Sequence, residues 1–103
     1  MSKLTASQRD QLARRLWAVG DSTRLRILSL LPEKPSEENC HNVCTLAAKL
    51  RLAQPTISHH LRILRQAGLI HGKKCCRDVY YWVDQKAAER LLDRLRQVLL
   101  SQE

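Results

Sequence analysis

The chain has 103 residues, 44% of them hydrophobic, which is enough for one domain with a modest core but not for several domains. Its formal net charge is +8, and seven of its basic residues lie between Asn39 and Arg77, where no Asp or Glu occurs. A polyanion is the natural partner for such a localised positive charge. No signal peptide or run of membrane-spanning length is visible, so we expect a cytoplasmic protein with no membrane partner.

The first half of the chain predicts two helices. Thr5 and Gln8 have the spacing of a capping box at the start of the first helix, and Gly20 ends it. Asp21 or Ser22 caps the second helix, which Pro32 ends. We expect the inward-facing residues of the two helices to be Leu12, Leu16 and Val19 with Ala13 and Trp17 beside them, then Leu25, Ile27, Leu28 and Leu31.

The next two helices have the spacing of a helix-turn-helix. A third helix over 42–50 is followed, after a turn at 51–54, by a helix in which Pro55 suits the first position and Gly68 suits the residue beyond the end. In the helix that begins near Pro55, successive residues are 100° apart around the axis, and this spacing places apolar residues on one side and polar residues on the other. The inner residues are Ile57, Leu61 and Leu64.

The outer face of that helix carries the side-chain types that hydrogen-bond base edges and phosphates, and it carries no carboxylate. His60 falls at the edge of the apolar side, where a packed or interface histidine is expected. We therefore predict a DNA-recognition helix whose contact residues are Gln54, Thr56, Ser58, His59 and Arg62.

After Gly68 the sequence predicts a β-hairpin, with strands at 69–74 and 79–83 and a turn at 75–78. A basic hairpin that follows a recognition helix would act as a wing against the phosphate backbone, through Lys73, Lys74 and Arg77. The fold class is thus mainly α with a small hairpin, a winged helix-turn-helix in the order α-α-α-α-β-β-α.

The last predicted helix is capped by Asp84 and has a dense apolar stripe. That stripe is too broad for so small a core, so we expect the segments 4–19 and 85–101 to form a dimer interface; packing within one subunit is the alternative. The stripe consists of Ala88, Leu91, Leu92, Leu95, Val98 and Leu99.

These elements, with the sequences Gly20–Leu28, Gln54–Ile70 and Val79–Tyr81, resemble the ArsR/SmtB family of prokaryotic winged-helix repressors across nearly the whole chain. The resemblance implies a homodimer that binds double-stranded operator DNA of imperfect dyad symmetry and leaves it when an inducer binds. Ser22 departs from the proline that is frequent in the family, but serine is an acceptable helix cap.

The inducer depends on the four cysteines, which in a reducing compartment serve metal or redox chemistry. Cys40 and Cys44 stand one turn apart if the third helix begins early enough, and could chelate a soft ion with His41 or another thiol. In the arsenic-sensing branch of the family, cysteines at the start of this helix bind the inducer, although the spacing there is a tighter Cys-Val-Cys. Incidental small residues are the alternative.

Cys75 and Cys76, at the wing turn, are the second candidate pair, because neighbouring thiols could take up trivalent arsenic or be oxidised. We therefore predict a repressor released by a thiophilic inducer, with As(III) ahead of Cd, Pb or Zn, and no constitutive cofactor. The alternative is a thiol-based redox repressor of the same fold.

Three other functions fit the sequence less well. A zinc site on the last helix lacks histidine ligands, since Asp84, Glu89 and Asp93 serve as cap and surface charges. An enzyme with a cysteine nucleophile lacks a group that would orient a Cys-His pair, and no glycine-rich phosphate loop is present. The polar and basic recognition face argues against a winged helix that binds only proteins. Salt-dependent binding to duplex DNA would distinguish a DNA-binding protein from such an interaction module.

Overall fold

In a computed structural model, residues 4–34 and 41–100 are described, and they form five helices and one antiparallel hairpin. The elements are, in chain order, α1 (Ala6–Val19), α2 (Ser22–Leu30), α3 (Val43–Leu50), α4 (Gln54–Gln66), β1 (Ile70–Cys75), β2 (Asp78–Val83) and α5 (Gln85–Leu99). The predicted fold class and element order are confirmed. In the described part of the chain no helix is long and apolar enough to cross a membrane.

Local sequence explains where most of the helices begin. Thr5 and Gln8 form the predicted capping box of α1, at 2.9 and 3.0 Å. Asp21 caps α2 by accepting from the backbone N–H of Arg24, and Asp84 caps α5 by accepting from that of Ala87. A side-chain oxygen satisfies one otherwise unpaired backbone donor in each case, which fixes the start of the helix.

The core lies where α4 meets α1, α2 and α3. Ile57, Leu61 and Leu64 of α4 are fully buried there, as predicted, beside Ile27 of α2 and Leu46 of α3. The inner face of α4 therefore anchors the helix, and its outer face is left to solvent.

The inward faces of α1 and α2 were predicted only in part. Leu12 and Ile27 are buried, but Trp17 and Leu25 are 65% and 55% exposed and Ala13 is exposed as well, so placing these three inside was wrong. Arginines take the buried positions instead, because their long side chains reach backbone carbonyls across the helix packing. These two buried cations are Arg15 and Arg24.

The wing is a two-stranded antiparallel sheet in which Ile70 pairs with Val83 and Cys75 with Asp78. The strands reach further toward the turn than predicted, so the turn consists of residues 76 and 77 alone. At its base, His71 Nε2 lies 2.7 Å from Asp84 Oδ2, which ties the wing to the start of α5. The hydrogen bond from the Ala87 backbone N–H, followed by the contact with His71, lowers the pKa of Asp84.

Candidate nucleic-acid interface

The outward face of α4 is an exposed polar surface. All five predicted contact residues are exposed on this helix, and no Asp or Glu occurs among its 13 residues. Pro55 is placed in the first turn, where its missing N–H leaves no hydrogen bond unmade. The first turn and a half of α4 thus presents amide, hydroxyl and imidazole groups to solvent, from Gln54, Thr56, Ser58 and His59, and Arg62 adds a guanidinium further along the same face.

A groove of about 460 Å³ separates this face from the wing. Ser58, Arg62 and Arg65 of α4 line one side, and Tyr81 of β2 lies on the other. Since the lining includes two arginines and no acid, the groove suits a strand of phosphates running between helix and hairpin.

The three basic residues of the wing are exposed, but they do not share one face. Cross-strand partners lie on the same side of a sheet, and neighbours along a strand alternate. Lys74 therefore lies on the side of Val79 and Tyr81, which faces the groove, whereas Lys73 lies on the opposite side with Tyr80. Of the two lysines, Lys74 is therefore the better placed to reach a backbone held in the groove, and Arg77 is exposed in the turn.

His60 is half-buried, and its neighbour His59 is exposed, as the sequence predicts. Arg24 of α2 donates from its Nη1 to His60 Nδ1 at 3.2 Å, and from its Nε to the Ala18 carbonyl at 2.5 Å. The guanidinium also stands over the Trp17 ring, 5.0 Å from its centroid. Burial of His60 lowers its pKa, the neighbouring Arg24 and His59 lower it further, and Asp21 opposes the shift.

A second buried arginine holds the other end of α4. Arg15 of α1 donates from its Nε to the carbonyl of Ala67, the C-cap of α4, at 2.9 Å. Burial lowers the pKa of Arg15, as do Arg90 and Arg94 of α5, although a guanidinium remains charged in proteins. The sequence did not lead us to predict a function for either buried arginine. The spacing could have indicated their burial, because Arg15 lies three residues after the buried Leu12 and Arg24 lies three residues before the buried Ile27.

Cys40 lies outside the described residues, so its pairing with Cys44 stays a prediction; α3 itself begins at Val43. Cys44 is exposed, whereas His41 is buried with its Nε2 3.1 Å from Lys49 Nζ. Within 4–34 and 41–100, no three His, Cys, Asp or Glu residues are grouped so as to hold a metal ion. Cys75 and Cys76 are exposed at the wing.

Comparison with known proteins agrees with this geometry. A sequence model of bacterial regulatory proteins of the arsR family matches residues 21–71. An uncharacterized HTH-type transcriptional regulator of Methanocaldococcus jannaschii is 46% identical over 81 residues, which cover 76% of this chain and 86% of that protein. The arsenical resistance operon repressor of Escherichia coli is 43% identical over 63 residues, and the match spans 61% of this chain and half of the length of that protein.

A solved structure extends the similarity to nearly the whole chain. It is the homodimeric winged helix-turn-helix DNA-binding domain of a possible ArsR-family transcriptional regulator from Mycobacterium bovis. It superposes with a TM-score of 0.72 at 26% identity, over 98% of this chain and 91% of that one. The fold and the relatives are those of DNA-binding transcriptional regulators, not of enzymes.

Proposed function

The chain belongs to the arsR family of bacterial regulatory proteins, and we propose that it is a homodimeric transcriptional repressor released from its operator by a thiophilic inducer. The observation that carries this proposal is the division of α4 into two faces. Ile57, Leu61 and Leu64 are fully buried, while the opposite face is polar, exposed and free of carboxylates. A helix anchored in this way can enter a major groove without losing core contacts.

Each part of the interface has a distinct task in this proposal. Residues near the start of α4 read base edges, and Arg62, further along the same face, contacts a base or a phosphate. Lys74 and Arg77 hold the phosphate backbone from the wing side, with Lys73 adding positive charge behind them. The regulator acts in the cytoplasm, where the DNA is.

We propose that a second copy of the chain packs on α1 and α5. Leu92, Val98 and Leu99 of α5 are each more than half exposed, which is costly for a monomer and is relieved by an apolar partner. Two recognition helices related by a two-fold axis would then enter major grooves about 34 Å apart on an operator of dyad symmetry. The homodimeric state of the M. bovis domain supports this arrangement.

The inducer is proposed to bind cysteine thiols, with Cys40, Cys44, Cys75 and Cys76 as the candidate ligands. We propose trivalent arsenic as the inducer, ahead of Cd, Pb or Zn. The similarity to a repressor named for arsenical resistance supports this proposal. Cys44, Cys75 and Cys76 are exposed and not in disulfides, which also supports the second candidate, a redox repressor released by oxidation. Either inducer must prefer a form of the protein that binds DNA poorly, because a ligand with equal affinity for both forms could not release it.

The test is fluorescence anisotropy of the reduced protein on a duplex from upstream of its own coding sequence. Arg62→Ala should weaken binding about 5-fold or more, since a well-formed arginine contact to a base is worth about 1–3 kcal/mol. Arg26→Ala, which removes an exposed arginine from α2, is the matched control for loss of charge. Equal effects of the two substitutions would contradict a specific role for the outward face of α4.

A further inference from the structure

Tyr81 of β2 is a nearly buried side chain whose hydroxyl remains open to solvent. Only 9% of the residue is exposed, and it lines the groove between α4 and the wing. Its hydroxyl makes no hydrogen bond within the described part of the chain. Among the described residues no side-chain nitrogen or oxygen is both fully buried and unpaired, so this hydroxyl reaches solvent. Tyr81 therefore offers an unused O–H donor to the groove that it lines.

The strand opposite Tyr81 leaves room for its ring. Gly72 is the cross-strand partner of Tyr81, and a Cβ at this glycine would lie 2.9 Å from Cε1 and 3.1 Å from Cδ1 of the ring. A residue with a side chain at this position would push the ring away from the sheet. Because the ring packs against the glycine backbone, its hydroxyl is held in place before any ligand arrives, which lowers the entropy cost of binding.

Two arginines of α4 line the same groove. Arg62 and Arg65 are exposed, and neither makes an ion pair in the described part of the chain. Their spacing of three residues places them on one side of the helix, about one turn apart. Arg65 belongs to the last turn of α4, whereas the residues that reach bases lie near the start of a recognition helix. Arg65 is thus better placed for the DNA backbone than for base edges.

A guanidinium and a phenolic hydroxyl on opposite sides of a groove can hold one oxyanion together. The guanidinium supplies positive charge and N–H donors, and the hydroxyl supplies an uncharged O–H donor. We infer that the groove holds a single phosphate of the DNA backbone between Arg65 of α4 and the hydroxyl of Tyr81. This inference rests on the proposed function and adds two contact residues to it. Because the contact is with the backbone, it positions α4 on the duplex without reading the base sequence.

The two residues contribute differently to the salt dependence of binding. A cation that neutralises a phosphate releases counterions, and each neutralised phosphate adds about 0.9 to the slope of log K against log salt concentration. Loss of Arg65 therefore reduces this slope. The Tyr81 hydroxyl carries no charge, so its loss lowers the affinity by the same factor at every salt concentration.

The test compares wild type with Tyr81→Phe, Arg65→Gln and the double variant. Affinity is measured by fluorescence anisotropy at several salt concentrations, on the upstream duplex and on a scrambled duplex of equal length. The matched controls are Tyr80→Phe, which removes a hydroxyl from the opposite side of the wing, and Arg26→Gln, which removes an exposed arginine from α2. Urea denaturation of Tyr81→Phe should give an unchanged midpoint, because this hydroxyl makes no hydrogen bond in the described part of the fold.

We expect Tyr81→Phe to weaken binding about 3-fold per subunit, and so about 10-fold for a dimer, on both duplexes and with an unchanged salt slope. Arg65→Gln should weaken binding and reduce the slope by about 0.9 per subunit. In the Arg65→Gln background, Tyr81→Phe should cost less affinity, since both side chains hold the same phosphate. The two control variants should keep the affinity and the salt slope of wild type.

An unchanged affinity of Tyr81→Phe, or an equal loss in Tyr80→Phe, would overturn the inference and leave the proposed repressor standing. Strictly additive effects of Tyr81→Phe and Arg65→Gln would also overturn it, because the two side chains would then hold different groups. Failure of wild type to bind either duplex would contradict the proposed function, and the inference with it.

Discussion

Arg24 of α2 and His60 of the recognition helix are joined by a hydrogen bond of 3.2 Å from Nη1 to Nδ1. Because a guanidinium can only donate, Nδ1 must be the acceptor, which requires that this nitrogen carry no proton. The same arginine binds the carbonyls of Ala18 and Trp17 at the end of α1. One buried cation therefore connects α1, α2 and the helix that presents the contact residues.

This contact makes stability depend on the protonation of His60. Its pKa in the folded protein is lowered by burial and by Arg24 and His59, against the opposing effect of Asp21, so the unfolded chain binds the proton more readily. His60 therefore contributes its full stability above the unfolded pKa of about 6.5, and loses it as the pH falls from there through the folded value.

We expect the free energy of unfolding, measured with urea, to fall between pH 7.5 and pH 5 by more in wild type than in His60→Gln. Glutamine can accept from Arg24 but does not titrate. The comparison cancels the contributions of the other histidines, and staying above pH 5 avoids the titration of Asp21 and Asp84. Identical pH profiles for the two proteins would contradict this role of His60.

Arg24→Met should destabilise the protein and weaken DNA binding together. The substitution keeps much of the apolar stem but removes the guanidinium that donates to the carbonyls of Ala18 and Trp17, at a cost of about 1.5–3 kcal/mol for hydrogen bonds from a charged group. The Trp17 carbonyl keeps its bond from the Gly20 N–H. Arg26→Met, at an exposed position of the same helix, should change stability by less than about 0.5 kcal/mol. Urea denaturation of both variants measures the difference, and equal losses would contradict the account.

We expect the effects of substitutions at Gly68 and Arg15 on the free energy of unfolding to be coupled, because the two residues meet at the end of α4. Gly68 has a φ of +76°, and a Cβ there would lie 3.1 Å from Nη2 of Arg15. Gly68→Ala should therefore cost about 1–2 kcal/mol for the left-handed backbone and more for the crowding of Arg15. In an Arg15→Met background the crowding is relieved, so Gly68→Ala should cost less stability. A double-mutant cycle measured by urea denaturation tests this. Strictly additive changes in the free energy of unfolding would contradict the coupling.

The proposed dimer can be tested on the exposed stripe of α5. Leu92 is 65% exposed, so Leu92→Glu should leave the subunit folded while placing a charge in an apolar interface. Sedimentation equilibrium should show dissociation for this variant and none for Leu25→Glu, a matched change at an exposed leucine of α2. A dimer unaffected by Leu92→Glu would show that α5 is not the interface.

The features that sequence predicted correctly are local ones. The caps at Thr5, Asp21 and Asp84 depend on residues three positions apart, and the faces of α4 follow from a regular apolar period. In α2 the apolar period is ambiguous, because residues 25, 27, 28 and 30 of this nine-residue helix are all apolar and lie on several sides of it. Tertiary packing then decides which side of α2 faces the core, and in the folded chain Leu25 lies on the exposed side.

The buried arginines escaped prediction for a different reason. Arg15 and Arg24 are stabilised by carbonyls at the ends of other elements, and the contact from Arg15 to Ala67 spans 52 residues. Composition and periodicity carry no information about these distant carbonyl partners. Without them, an arginine on an apolar stripe is assigned to the surface. The wing turn was similarly placed only approximately, because the pairing of Cys75 with Asp78 depends on the register of the two strands.

The most direct test of the account is the affinity of the reduced protein for its own upstream duplex, compared with a scrambled duplex of equal length, with and without a trivalent arsenical. We expect tight, salt-sensitive binding to the upstream duplex, weaker binding to the scrambled one, and a loss of affinity for the upstream duplex when the arsenical is added. Equal binding to both duplexes would contradict an operator-binding repressor, and affinity that the arsenical leaves unchanged would contradict trivalent arsenic as the inducer.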